Sequence, residues 1–208
     1  MIEGECLEIA IPAIGAGVIA WLIFKSKQTG QKGPDGAVYV DLNALFKGSS
    51  INKTWKSSTI PRTTGYKRVS NANISANEWL QAGYPMAVTL AAIVNADYES
   101  RLSNLATGDN GKSFGLYQLH VNGAGKGMSE ADMRDASLNT RAIMADYASG
   151  NGDPVDSAYR SGATLAQLAG LFGKYVERPK NPDVIELRAA YARHLFPSIA
   201  NTDGLKLL

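Results

Sequence analysis

Among the carboxylates of this chain, Glu99 has the neighbours that suit acid–base chemistry. It closes the run PMAVTLAAIVNADYES, residues 85–100, immediately before Ser100. Ala87, Leu90, Ala91, Val94 and Tyr98 recur there at three- and four-residue steps, which predicts a helix with an apolar face and Pro85 in its first turn. A helix C-terminus disfavours negative charge, so a carboxyl placed there leans towards the protonated form that a general acid needs. Asp97, two residues earlier, falls on another face of the same helix. Asp109 lies in a following stretch, RLSNLATGDNGKSFGLYQLH, where Gly108, Gly111 and Gly115 mark a loop or short hairpin. Glu177 is followed by Arg178 and reads as half of a structural ion pair. Two histidines, His120 and His194, and a single cysteine, Cys6, leave no paired-cysteine zinc site, no His-rich metal cage and no intrachain disulfide.

The elements that must hold these residues are mostly helical. Asn77 is placed to cap a short helix, EWLQAG, ahead of the one that carries Glu99. Downstream, MSEADMRDASLNTRAIMADYASG, TLAQLAGLFGKYVE and NPDVIELRAAYARHLF each show helical spacing. Leu165, Leu168, Ala169 and Phe172 form one expected buried stripe, and Val184, Leu187, Ala190, Tyr191 and Leu195 another. The fold class expected is mainly α, with one short Gly-rich loop or hairpin beside Glu99.

Composition bounds the rest. The chain has 208 residues, 45% of them hydrophobic and 19% charged, enough for one globular core plus an accessory segment. The net charge of +2 divides into −3 for residues 1–24, which hold Glu3, Glu5 and Glu8 and no Lys or Arg, and +5 for the remainder. A basic excess of that size does not argue for nucleic acid as a partner. From Leu7 to Phe24 the run LEIAIPAIGAGVIAWLIF has Glu8 as its only ionisable residue and is followed by Lys25, Lys27 and Lys32. Roughly 18 apolar residues suffice to span a bilayer, so this run predicts a transmembrane helix rather than a buried core helix or a signal peptide with its basic leader. Lysines on the C-terminal flank alone keep the body of the protein on the cytoplasmic side. The expected division is an N-terminal tail over 1–6, a transmembrane helix over 7–24, a tether over 25–75, a catalytic domain over 76–198 and a C-terminal tail over 199–208.

The ordered set Glu99-Ser100, Gly108-Asp109-Asn110-Gly111 and Phe114-Gly115-Leu116-Tyr117-Gln118 resembles the lysozyme-like superfamily of peptidoglycan-cleaving enzymes. The nearest variants are goose-type lysozymes, soluble lytic transglycosylases and their phage-borne relatives. Ala158-Tyr159-Arg160-Ser161-Gly162 is similar to the Ala-Tyr-Asn-x-Gly element of the transglycosylases, and Phe172 through Glu177-Arg178-Pro179 to an element of phage tail lysozymes. The resemblance covers about residues 78–197.

The resemblance implies a lysozyme-like domain that cleaves the β-1,4 bond between N-acetylmuramic acid and N-acetylglucosamine, with Glu99 as general acid and base. Ser100, Asp109, Gly115, Leu116, Tyr117, Gln118, His120 and Tyr159 become its supporting or substrate-binding residues. In the goose-type pattern an acidic residue at Asp109 holds water, and a second Asp follows the Gly-Leu-x-Gln run where this chain has His120. That departure ranks a lytic transglycosylase, which needs no water-activating base, above a hydrolase with Asp109 holding the water. No cofactor is implied. Peptidoglycan is the implied partner. The acidic head and lysine flank add the lipid membrane through residues 7–24, other virion proteins, and a place in a virion membrane or bacterial inner membrane, for local wall penetration by a phage. A non-enzymatic, membrane-anchored wall-binding or virion structural protein is the alternative of another class.

Overall fold

The computed structural model describes residues 65–201, Phe46 and two short strands farther upstream. Those strands, β1 (Gln31–Lys32) and β2 (Val38–Tyr39), pair antiparallel with Gln31 opposite Tyr39. The fold is mainly helical, as expected. It comprises α1 (Gly65–Gln81), α2 (Met86–Ser100), α3 (Glu130–Arg134), α4 (Ala136–Asp146), α5 (Asp153–Arg160), α6 (Leu165–Phe172) and α7 (Val184–Leu195). A small antiparallel sheet of β3 (Thr107–Gly108), β4 (Ser113–Phe114) and β5 (Leu119–His120) lies between α2 and α3 in the chain.

Helix α2 is the axle. Every residue from Met86 to Asp97 is buried, so the helix has no solvent face, and α1, α6 and α7 pack around it. A helix buried all round tolerates small residues where neighbours approach, and four alanines serve that purpose here. The α6–α7 pair uses glycine the same way: a Cβ on Gly170 would come within 2.7 Å of the Ile185 carbonyl oxygen. Trp79 of α1 closes one end of the core, edge-on to Tyr84, Tyr147 and Phe172 at centroid distances of 4.7, 5.2 and 5.8 Å. Local signals fix the helix starts. Ser129 with Asp132 and Thr164 with Gln167 form capping boxes for α3 and α6, and the Asp135 carboxylate accepts from the Ser137 and Leu138 amides at the start of α4.

The structure departs from the sequence expectations in several places. Helix α1 runs unbroken through Asn77, so that residue caps nothing. Arg68, Val69, Ala72, Ser75, Ala76 and Trp79 of α1 are buried at helical spacing, which moves the start of the compact unit upstream of the expected boundary at 75/76. Phe46, farther upstream, is itself buried, 6.4 Å from the Phe196 ring. The stripe of α6 is buried as expected. On α7 the buried face is Val184, Arg188, Ala189, Ala192 and Leu195, whereas Leu187 and Ala190 face solvent.

The transmembrane run 7–24 lies outside the described residues. Among the described residues no helix is long and apolar enough to cross a membrane. The longest, α1, has 17 residues and includes Lys67 and Arg68, and the next longest, α2, has 15 and is spent on the protein's own core. The expected single-pass localisation in a virion or inner membrane is therefore not supported.

Candidate functional site

Glu99 occupies the last turn of α2, where the buried axle emerges, and its side chain is 25% exposed. The helix stops there because Arg101 and Leu102 both adopt left-handed backbone, at φ 56° and 54°. The Arg101 amide still donates to the Asp97 carbonyl at 2.9 Å, so the end is closed by hydrogen bonds and the chain turns sharply towards β3. Ser100 is buried, and its hydroxyl reaches the Ala96 carbonyl at 3.0 Å and the Leu116 carbonyl at 2.7 Å. Its role is thus to tie the helix end to the β4–β5 turn; it makes no bond to the Glu99 carboxylate.

That turn is built around one amide. Asn139 of α4 donates to the Phe114 carbonyl at 3.1 Å and the Met133 carbonyl at 2.6 Å, while its oxygen accepts from the Tyr117 amide at 3.0 Å. Gly115, at φ 79°, is required because a Cβ would strike the Met133 carbonyl and the Asn139 amide. Leu116 is fully buried beneath the turn. Tyr117 is also buried, its hydroxyl bonded to Ser75 at 2.8 Å and to the Trp79 indole at 3.1 Å. Burial first, and the nearby Glu177 charge last, push the phenol well above its ordinary range, against the hydrogen bonds from Ser75 and Trp79. Gln118 braces the loop from outside, donating to the Gly115 carbonyl at 2.9 Å. Its carbonyl oxygen occupies the space a side chain would fill at Gly108.

The remaining expected residues lie apart from this junction. Asp109 sits at the exposed tip of the β3–β4 hairpin, where it accepts a 2.5 Å hydrogen bond from Ser113. His120 pairs across the sheet with Ser113, and its Nδ1 accepts from the Asn122 amide at 3.1 Å. Tyr159 is half-buried on α5, packed against the core; among the described residues no hydrogen bond joins it to Glu99. Asp97 faces away from Glu99, as helical spacing requires. It is buried with Arg68 at 2.5 Å and accepts from the Tyr191 hydroxyl at 2.6 Å.

Residues that the motif did not reveal complete the surroundings of Glu99. Arg188 of α7, 3% exposed, donates to Glu99 Oε1. Its Nε donates to Asn95 Oδ1 at 2.9 Å, and its guanidinium lies 3.6 Å from the centre of the Tyr98 ring. Asn95 is held in turn by the Ala91 and Ala169 carbonyls, at 2.8 and 3.0 Å. The helix end that by itself disfavours negative charge thus carries a cation against it. The one signal for Arg188 was its place on α7, four residues after Val184 and four before Ala192.

Glu177 ends a π-helical turn, Gly173–Glu177, that continues α6. Its expected partner Arg178 turns away, in left-handed backbone, and pairs with Asp146 at 3.0 Å. Glu177 Oε1 is left buried with no hydrogen-bond partner. Burial, and then the charge of Glu99, hold its carboxyl well above the ordinary range, against the pull of Arg188 and Arg178; Asp146 pushes the same way as Glu99. Among the described residues no group of three or more His, Cys, Asp or Glu is arranged to hold a metal ion. No family model, no curated protein and no solved structure matches this chain.

Proposed function

We propose that this chain is a lysozyme-like, peptidoglycan-cleaving enzyme and, specifically, a lytic transglycosylase in which Glu99 is the general acid and base. The observation that carries the reading is the position of Glu99. It is a partly exposed carboxyl at the open end of a buried helix, joined through Ser100 to the Gly-rich turn that bears Gly115, Leu116, Tyr117 and Gln118. Cleavage of the β-1,4 bond requires a proton on the departing O4 of N-acetylglucosamine as positive charge grows on C1 of the muramic residue. Glu99 delivers that proton. The resulting carboxylate, held by Arg188, then takes the proton of the muramic 6-hydroxyl as O6 bonds to C1 and closes the 1,6-anhydro ring.

The surroundings favour this outcome over hydrolysis. A hydrolase needs a second ionised carboxylate to hold water or to attack C1. Asp97 is buried on Arg68, and Asp109 is engaged by Ser113 at the hairpin tip. Glu177, driven towards its neutral form, gives a proton more readily than it takes one.

Digestion of purified sacculi followed by mass analysis tests both halves of the proposal. The expected products are anhydromuropeptides; products with free reducing ends would make the enzyme a hydrolase, and intact sacculi would leave a wall-binding protein. Glu99→Gln is expected to reduce lysis at least about 100-fold, the scale of a lost general acid, with the helical fold retained by circular dichroism and a lower melting temperature, because the buried Arg188 loses its counter-ion.

A further inference from the structure

Outside the motif that pointed to Glu99, the polar group with the most built surroundings is the Arg188 guanidinium on α7. It is buried, and a cation kept inside a protein needs partners on every side that water would otherwise supply. Asn95 lies one turn before Glu99 on the same face of α2. Both amide hydrogens of Asn95 are committed, to the Ala91 and Ala169 carbonyls, so the group cannot flip and its oxygen must face Arg188 Nε at 2.9 Å. The Tyr98 ring lies against the guanidinium, and Tyr191 meets that ring edge to face at 5.2 Å. Gly173 completes the bracket: a Cβ there would lie 2.7 Å from Arg188 Cγ and 3.0 Å from Asn95 Oδ1, so a side chain is excluded where the turn after α6 passes. Neither helix capping nor apolar packing calls for such a bracket. What it fixes is the direction from which Arg188 Nη2 meets Glu99 Oε1.

We propose that Asn95 and Arg188 are positioning residues that tie Glu99 by Oε1 and so assign Oε2 as the oxygen that gives and takes the proton in glycan cleavage. The inference deepens the acid–base reading of Glu99 and rests on it. Among the described residues, Oε1 is the Glu99 oxygen that has a hydrogen-bond partner. A carboxyl free to turn about its last bond offers either oxygen in many directions, whereas one anchored at a single oxygen presents the other at a fixed place. In the first step the Oε2–H bond breaks as its proton binds O4, and the C1–O4 bond breaks with its electron pair passing to O4. In the second, O6 bonds to C1 as the O6–H proton passes to Oε2. Glu99 ends as it began, and the guanidinium supplies the counter-charge while the carboxylate exists. Any cation could supply that charge. The planar fork is needed because Nε and Nη2 must reach Asn95 and Glu99 at once, which an ammonium at the end of a lysine stem cannot reproduce.

Kinetics of the full chain on soluble glycan strands of peptidoglycan test the role, because positioning and structure affect different constants. Arg188→Lys keeps the charge and loses the fork, and is expected to lower kcat about 10-fold or more with KM nearly unchanged, within the roughly 100-fold that a misplacement of about 1 Å can cost. Asn95→Ala, which keeps both charges and frees Nε, carries the same expectation where Arg188→Lys does not fold. A merely structural arginine would lower the melting temperature and the yield of folded protein while leaving kcat per folded molecule at the parent value, and that result would overturn the proposal. Nitrogen NMR of the arginine side chains reads the bracket without any activity. The Arg188 Nη signals are expected to be held apart by slow rotation in the parent and to merge in Glu99→Ala, while the Nε hydrogen stays protected by Asn95. Arg188 signals that are alike in the parent and in Glu99→Ala would show that the carboxylate is not anchored, and would overturn the proposal whether or not the protein lyses sacculi. An inert parent strikes the enzymatic reading and the positioning role with it; a lytic parent matched in kcat by Arg188→Lys strikes the positioning role alone.

Discussion

Arg68 illustrates how far a single charge can be from its apparent role. In the sequence it belongs to a basic stretch, TTGYKRVS, and reads as solvated surface. In the fold it is 1% exposed and joined to Asp97, itself fully buried, behind the helix that presents Glu99. The pair is completed by Tyr191, whose phenol is raised by burial and by the Asp97 charge to which it donates. Breaking such a pair at one end leaves a buried charge without its counter-ion. Asp97→Ala is therefore expected to cost about 3–5 kcal/mol of folding free energy, measured by urea unfolding. Replacing Arg68 and Asp97 together by apolar residues of similar volume should cost much less, since a buried pair is often no better than good packing. Glu99, two residues away on α2, differs from Asp97 in facing Arg188 at a partly open edge, and that difference in environment separates a structural carboxylate from a candidate catalytic one.

At the scale of elements, the site depends on a junction between α2, α4 and the β4–β5 turn. Asn139 satisfies two carbonyls and one amide of that turn and its flank, all from the interior of the core. Asn139→Ala strips those groups of their partners at about 1–3 kcal/mol for each that stays buried and unsatisfied. The expected result is a protein that melts earlier and whose amides around Gly115 to Gln118 lose protection from hydrogen exchange first. If those amides stayed protected while the whole protein melted earlier, the turn would be held by something other than Asn139. The motif residues of the turn were legible in the sequence; their division of labour was not. Gly115 is needed for backbone clearance, Leu116 for packing and Tyr117 for a buried hydrogen-bond network, and these three physical demands would all produce the same short string of letters.

For the whole molecule, the clearest consequence is in the pH dependence of stability. Glu177 binds its proton more tightly in the folded chain than in the unfolded one. As pH rises from the ordinary carboxyl range towards the folded value, the native state holds more protons than the unfolded state, so this group makes stability fall with pH. Below the ordinary range both states are protonated and the contribution vanishes. Glu177→Gln is thus expected to melt at a higher temperature than the parent at pH 7.5, with the difference shrinking to nothing below about pH 4. Glu78 works in the opposite sense. Its pKa is lowered by Arg141, chiefly, and by Ser137, so its ion pair contributes above the unfolded value and is lost as the folded group protonates in acid. A parent protein that gained stability steadily from pH 4 to pH 7.5, with no difference from Glu177→Gln, would contradict the tighter hold of Glu177 on its proton in the fold.

The sequence by itself determined that the chain is mainly helical, that Glu99 ends an apolar helix, and that a Gly-rich turn follows it. Hydrophobic period and turn chemistry are local properties, and local properties survive in one dimension. Tertiary structure alone decided which ionisable groups meet. Arg68 and Asp97 are 29 residues apart, and Glu99 and Arg188 are 89. Glu177 stands beside Arg178 in sequence, yet burial, first, and the charge of Glu99, next, outweigh that arginine in holding its carboxyl above the ordinary range. Charge acts through space and solvent exclusion rather than along the chain, so the partners of a carboxylate, and with them the form in which it carries or sheds its proton, are settled only when the helices have packed.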